Sequence, residues 1–219
     1  MNRVVGWHTG LGEQALRLFL LNLLWLAGAL AGGVLFGVFP ATSAAMGVLR
    51  RDAMDRRAEL LGGDAAVREP LHREFAALWR REFRSANVLG WILTAAWALL
   101  AYEYWVLGNN SLGLPGGAAA GAILVLMLVL FVMTSNLWAL QAHFAEGPFA
   151  LLRRSLVLTL GRPVSALQLA VGVLAIAAGY VMLPGLAAVF GLMLAAFLTT
   201  QYLWGSGILA AGPAILSEA

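Results

Sequence analysis

Apolar residues in this chain fall in long uninterrupted blocks, neither alternating nor recurring as a 3.6-residue stripe. Blocks of eighteen or more apolar residues indicate helices that cross a bilayer. The first block, Leu18 to Phe39, is an uncharged run of 22 residues. As a helix it would be about 33 Å long, enough to cross the hydrocarbon core. Pro40 is expected to end or kink it. The 32 residues from 18 to 49 are too few for two spans and a turn. Ala41 to Leu49 is therefore expected to run into the cytoplasm as a short bent helix. A secretory leader is the competing reading, with Ala29-Leu30-Ala31 as its small-residue site. The apolar run continues past that site and nine arginines follow Leu49, so a retained span is expected.

Further blocks predict spans at about 86–107, 118–144, 164–183 and 186–211. Two segments between them are amphipathic. Over 70–85, Leu71, Phe75, Leu78, Trp79 and Phe83 share one helical face, while Arg73, Glu74, Arg80, Arg81 and Arg84 lie elsewhere. Over 148–160, Pro148 suits a first helical turn, Arg153 and Arg154 supply charge, and Gly161 suits the C′ position before Pro163. Each is expected to be an elbow helix at the cytoplasmic membrane surface. The first should feed straight into the second span. Asp64 is a candidate N-cap after Gly62-Gly63, residues 108–117 read as an uncharged turn, and Pro184-Gly185 as a tight one. The fold class expected is all-α: a polytopic membrane bundle of about five transmembrane helices with two elbows, forming one domain over 1–219.

Composition agrees. The chain is 61% hydrophobic and 11% charged, with mean hydropathy +0.83; soluble domains are nearer a quarter charged. It has no cysteine, which excludes disulfides and thiolate metal sites. A pI near 9.9 arises from a net charge of only +3, confined to loops. Anionic lipid headgroups explain that excess, and no nucleic acid is expected.

Charge also orients the chain. All fourteen basic residues are arginine, and nine lie between 50 and 86 among seven acids. Three more follow the third span, and the loops after spans two and four have none. The positive-inside rule puts the arginine-rich loops in the cytoplasm. Five spans then give a multi-pass protein of the cell (inner) membrane, N-terminus outside and C-terminus inside. Arg3 and Arg17 argue weakly for the reverse. FAALWRR at 75–81 and FALLRR at 149–154 form a faint internal echo, within reach of chance in so Ala-, Leu- and Arg-rich a chain.

Intramembrane polar residues are functional candidates by default. Here they are Asn22, Glu103, Asn136, Gln168 and Gln201, with Thr134, Ser135, Thr199 and Thr200 beside them. They could line a solute path, but hydrogen bonding between packed helices is the favoured reading. Glu103, the sole acid in an apolar span, is expected to pair with Arg17; proton coupling is the sharper alternative. His143 and Glu146 lack a third ligand, His8 and His72 are isolated, and no nucleophile or phosphate-loop motif occurs. Tyr102, Tyr104 and Trp105 suit an interfacial aromatic belt. No catalytic, cofactor or metal residue is assigned, and no enzyme is expected. The candidate partner or lipid surface is Phe75, Trp79, Arg80, Arg81, Phe83 and Arg84, with Arg153 and Arg154.

NLLWL at 22–26, PATSAAMGVLRR at 40–51 and EFAALWRREFRSANVLGW at 74–91 resemble the YesL-like family of small bacterial integral membrane proteins. The stretch from Asn136 to Leu167, with PFALLRRSLVLTLGRPVSAL, is similar to that family's second elbow. Glu82 departs from the pattern, where an amide would be expected. The resemblance implies a domain of unknown function linked to carbohydrate uptake, and no catalytic residue. Its implied role is a non-enzymatic accessory or regulatory component, with sugar ABC importer subunits, lipid or further copies of the chain as candidate partners. The AEGPFALL segment at 145–152 does not satisfy the cytoplasmic signature of importer permeases. A small solute transporter and a lipid-interacting, membrane-shaping protein remain the alternatives.

Overall fold

The computed structural model describes residues 2–62, 69–110 and 113–206, with side chains from Gly12 onward. Arg3, His8, Gly63, Asp64 and the last part of the fifth block, 207–211, lie outside what can be said of structure or side chains. All regular structure among the described residues is helical: α1 (Asn2–Ala31), α2 (Val38–Leu60), α3 (Leu71–Asn109), α4 (Gly113–His143), α5 (Pro148–Gly161), α6 (Pro163–Met182), α7 (Pro184–Phe190) and α8 (Met193–Gly205). Part of α1 (Gly12–Ala31), α3, α4 and α6 are long and apolar enough to cross a membrane. The α7–α8 pair makes a fifth crossing if taken together across its 70° bend. These are the helices of a multi-pass membrane protein. Leu20, Leu23, Leu26, Val125, Val171 and Leu174 lie exposed on the outside, as side chains facing lipid do.

The first block departs from expectation. α1 ends at Ala31, nine residues before Pro40. The break is made by Gly32-Gly33, with Gly33 at φ +68° and Val34 also left-handed at φ 63°. A side chain at Gly32 or Gly37 would strike the backbone of the opposite limb, so both glycines are required by close approach. Pro40 does not end a helix; it lies in the first turn of α2, where a missing N–H costs nothing. α2 then doubles back along α1 instead of running away from the bundle. Trp25 Nε1 donates to Thr42 Oγ1 at 3.0 Å, and Arg17 meets Asp52 at 2.6 Å.

α2 is the central helix although it is among the least apolar. Ala41, Ser43, Ala44, Ala45, Val48 and Ala53 are buried in it, and such small residues let neighbouring helices approach closely. α1, α3, α4 and α8 all pack on it. The elbow at 70–85 and the span at 86–107 are one continuous 39-residue helix, α3, of about 58 Å. Gly90 of α3 faces the Phe39 ring directly, and Phe39 also stacks on Trp138 of α4. The second elbow is a separate helix, α5, with Pro148 in its first turn as expected. Gly161 stays helical in place of a C′ cap, and Arg162 alone links α5 to α6. Pro184 likewise opens α7 directly after Leu183, so no Pro-Gly turn forms. The expected fifth span is broken after Phe190, where Gly191 takes φ +45°.

Candidate functional site

Four helices bring their polar ends together at the arginine-rich end of the bundle. Arg17 of α1 grips Asp52 of α2 through both Nε and Nη2, each at 2.6 Å. The Asp52 side chain is only 8% exposed, so the pair is a desolvated, two-pronged one. Arg51 of α2 reaches the buried Glu74 of α3 at 3.3 Å. Arg50 of α2 donates its Nε–H to His143 Nδ1 of α4 at 3.1 Å, which makes that imidazole nitrogen an acceptor. His143 is buried edge-on between Phe144 and Trp204. Burial, and then the charges of Arg51 and Arg81, hold Arg50 below the usual arginine range. The Arg56 guanidinium sits 5.7 Å from the centre of the Phe197 ring of α8.

The layer continues to α5. Arg154 pairs with Glu146 at 2.5 Å and covers the Phe144 ring at 4.0 Å. Arg81 pairs with Glu82 at 2.9 Å, and Gln141 of α4 donates to Ser85 at 3.2 Å. Arg80, Arg84 and Arg153 are exposed beside these pairs.

The expected Arg17–Glu103 pair is corrected by this geometry. Arg17 is held by Asp52, close enough to Glu74 for its charge to be felt. Glu103 is exposed near the far end of α3, 29 residues and about 44 Å from Glu74. The aromatic face of the first elbow is corrected too. Phe75 is buried, and Phe75 and Trp79 close on Gly28 of α1, with Phe83 edge-on to Trp79. Phe75 is a packing residue, Trp79 and Phe83 are half-buried, and the arginines Arg80, Arg81 and Arg84 are exposed. His143 and Glu146 do not converge either, since their partners are Arg50 and Arg154.

Three of the other intramembrane candidates, Asn22, Asn136 and Gln168, meet neighbouring helices. Asn22 is 2% exposed and donates to the carbonyls of Ala188 and Val189 at 3.3 and 3.1 Å, where α7 breaks. Asn136 reaches Thr159 of α5 at 3.5 Å. Gln168 accepts from Tyr202 at 2.8 Å on the exposed side of α6, and Gln201 is half-buried. Thr200 donates to the Ala196 carbonyl beside Met46.

A cavity of about 400 Å³ lies between α2, α3, α4, α6 and α8. Thr42, Thr94, Thr134, Ser135 and Thr199 line it. Each donates its hydroxyl to the carbonyl four residues back in its own helix. Trp25 and Trp97 further occupy Thr42 and Thr134. What faces the space is therefore mostly methyl and aromatic.

Sequence reasoning missed Asp52, Glu74 and Gln141. The small-residue run PATSAAMG ahead of Asp52 was the available signal, because it marks a helix packed on all sides and hence a buried carboxylate one turn beyond.

Residues 18–104, the part that forms the latter half of α1, all of α2 and most of α3, match the family described as "Protein of unknown function, DUF624". The chain is also 27% identical over 186 residues to "Uncharacterized protein YesV" of Bacillus subtilis (strain 168), covering 82% of this chain and 81% of that protein. No solved structure matches significantly. These two matches support the resemblance read from the sequence: residues 18–104 are similar to the DUF624 family, and most of the chain is similar to YesV.

Proposed function

We propose that this protein is a non-enzymatic, multi-pass component of the cell membrane that acts by binding another protein at its arginine-rich end. The supporting observation is where polar groups are committed. Asn22 and Gln168 are occupied by neighbouring helices, Asn136 reaches Thr159 with its amide nitrogen, and the cavity hydroxyls are occupied by their own helices. Arg80, Arg84 and Arg153 remain outward. The positive-inside rule puts that end in the cytoplasm. Because Arg17 lies at the same end, this reading also starts the Gly12–Ala31 span there, in place of the outside start expected from five simple crossings. The family resemblance suggests sugar ABC importer subunits as the partner class.

Pull-down of the tagged full chain in mild detergent tests this. Importer subunits should be recovered with the wild type and lost with Arg80→Glu/Arg84→Glu/Arg153→Glu, which alters only exposed residues. Repeated absence of those subunits from cells that express them would contradict the partner class.

A second reading, a small solute transporter, rests on the cavity of about 400 Å³. It requires uptake that collapses when Ser135 and Thr199 are enlarged to Leu.

A further inference from the structure

The cavity of about 400 Å³ is built by the opening turns of α2 and α8 and by stretches of α3, α4 and α6. Phe39, Trp97, Phe131, Val173, Leu192 and Ala195 give it apolar walls. No ionisable side chain lines it among the described residues. The hydrogens of its five hydroxyls are spent on carbonyls of their own helices. A water molecule needs several polar partners to stay in such a space, and a polar solute needs more. Left empty, the space would deprive its lining atoms of dispersion contacts. The walls therefore favour an occupant that is hydrocarbon.

The surroundings say where that occupant comes from. α2 packs on α3 and α8, α6 on α4 and α8, and α4 on α3. Among the described residues no close packing joins α3 to α6 or α8, so the ring of helices is open on that side. Thr94 of α3 and Leu192 at the start of α8 line the cavity and are exposed at this gap. Thr94 lies about 15 Å along α3 from Arg84, near the middle of a hydrocarbon core about 30 Å thick. At that depth the medium outside is lipid chains. The cavity surface is thus continuous with the lipid-facing surface of the bundle. At about 30 Å³ for each water-sized group, the space has room for roughly a dozen methylenes.

We propose that this cavity holds the distal part of one hydrocarbon chain of a bilayer lipid, entering between α3 and α8 past Thr94 and Leu192. The site reads the chain and leaves the headgroup outside. The inference is independent of the partner reading above, and it gives the space a hydrocarbon occupant in place of a polar solute.

Photolabelling of the full chain in nanodiscs tests it, with phospholipids that carry a diazirine near the end of one acyl chain. Labels should appear on Ser135 and Trp138 inside the cavity, as well as on Leu174, which faces lipid on the outside. Ala195→Phe fills the space from the α8 wall. It should reduce labelling of Ser135 and Trp138 several-fold and leave Leu174 unchanged. Val173→Phe should act in the same way from the α6 wall. Lipids with the same chain on ethanolamine, glycerol or choline headgroups should label equally. A water-soluble diazirine should leave Ser135 and Trp138 unmarked. Wild-type protein labelled at Leu174 but not at Ser135 or Trp138 overturns the proposal. So does labelling that survives undiminished in both variants, a several-fold headgroup preference, or equal labelling of the cavity by the water-soluble probe. If neither variant is recovered folded, the wild-type comparison of the lipid and water-soluble probes decides alone.

Discussion

Polar side chains behave in opposite ways in two regions of this bundle. At the arginine-rich end they reach across to other helices: Arg17 to Asp52, Arg51 to Glu74, Arg50 to His143. Around the central cavity they turn back on their own helix, all five hydroxyls donating to the carbonyl four residues earlier. The first arrangement ties four helices into one layer. The second leaves the helices free to meet through apolar contact. Thr42 and Thr134 of the cavity also accept from Trp25 and Trp97 of neighbouring helices, but only the first region couples helices through charged pairs.

The sharpest way to break that contrast is at Asp52. Asp52→Asn removes the charge but keeps the shape, leaving Arg17 without its partner at a site 8% exposed on the acid side. A loss of about 3 kcal/mol is expected, at the low end for a broken buried pair, read as a large fall in melting temperature in detergent. A shift close to zero would mean the layer is not a coupling element.

Gly90→Ala comes next. The added methyl would collide with the Phe39 ring, which is itself wedged between Trp91 and Trp138. Overpacking of this kind costs about 1–3 kcal/mol. Asn22→Leu removes two hydrogen bonds to the carbonyls at the α7 break. Interhelical polar contacts in membranes contribute about 1 kcal/mol, so a moderate fall in melting temperature is expected, with faster proteolysis near Gly191. Glu103→Gln is the smallest. Glu103 is exposed on the half of α3 away from the elbow, and a change within about 0.5 kcal/mol is expected, with unaltered solute uptake. A strong uptake defect would revive the proton-coupling reading and move function into the bundle.

The fold class was legible because uncharged runs of bilayer length are long-range signals that local detail cannot hide. The α5 elbow was legible from Pro148 and its flanking residues, and the elbow–span continuity of α3 from the absence of any proline between Leu71 and Leu107, where Gly90 is the single glycine. The α1–α2 hairpin was not. Counting length assumed that both limbs must cross the bilayer, whereas Gly32-Gly33 turns the chain sharply and the first half of α2, residues 40–49, is packed among other helices. Proline at 40 misled for the same reason, since a residue that ends one helix can equally open the next. The Arg17–Glu103 pairing failed because it relied on that topology. Asp52 was hidden among the acids of a loop that read as solvated, and Gln141 sat at the end of an apolar run with no periodic signature.

The most direct test of the central claim, that one arginine-rich layer gathers the Arg17 end of α1, the elbow of α3 and the end of α4 on a single side of the membrane, is single-cysteine labelling. The chain has no native cysteine, so Glu13→Cys, Arg84→Cys and Asn110→Cys each report one exposed position. A membrane-impermeant maleimide applied to intact cells should label Asn110→Cys alone. Glu13→Cys and Arg84→Cys should react together only after the membrane is opened. Labelling of Glu13→Cys from outside, with Arg84→Cys protected, would contradict the account and restore a chain whose first helix begins on the opposite side.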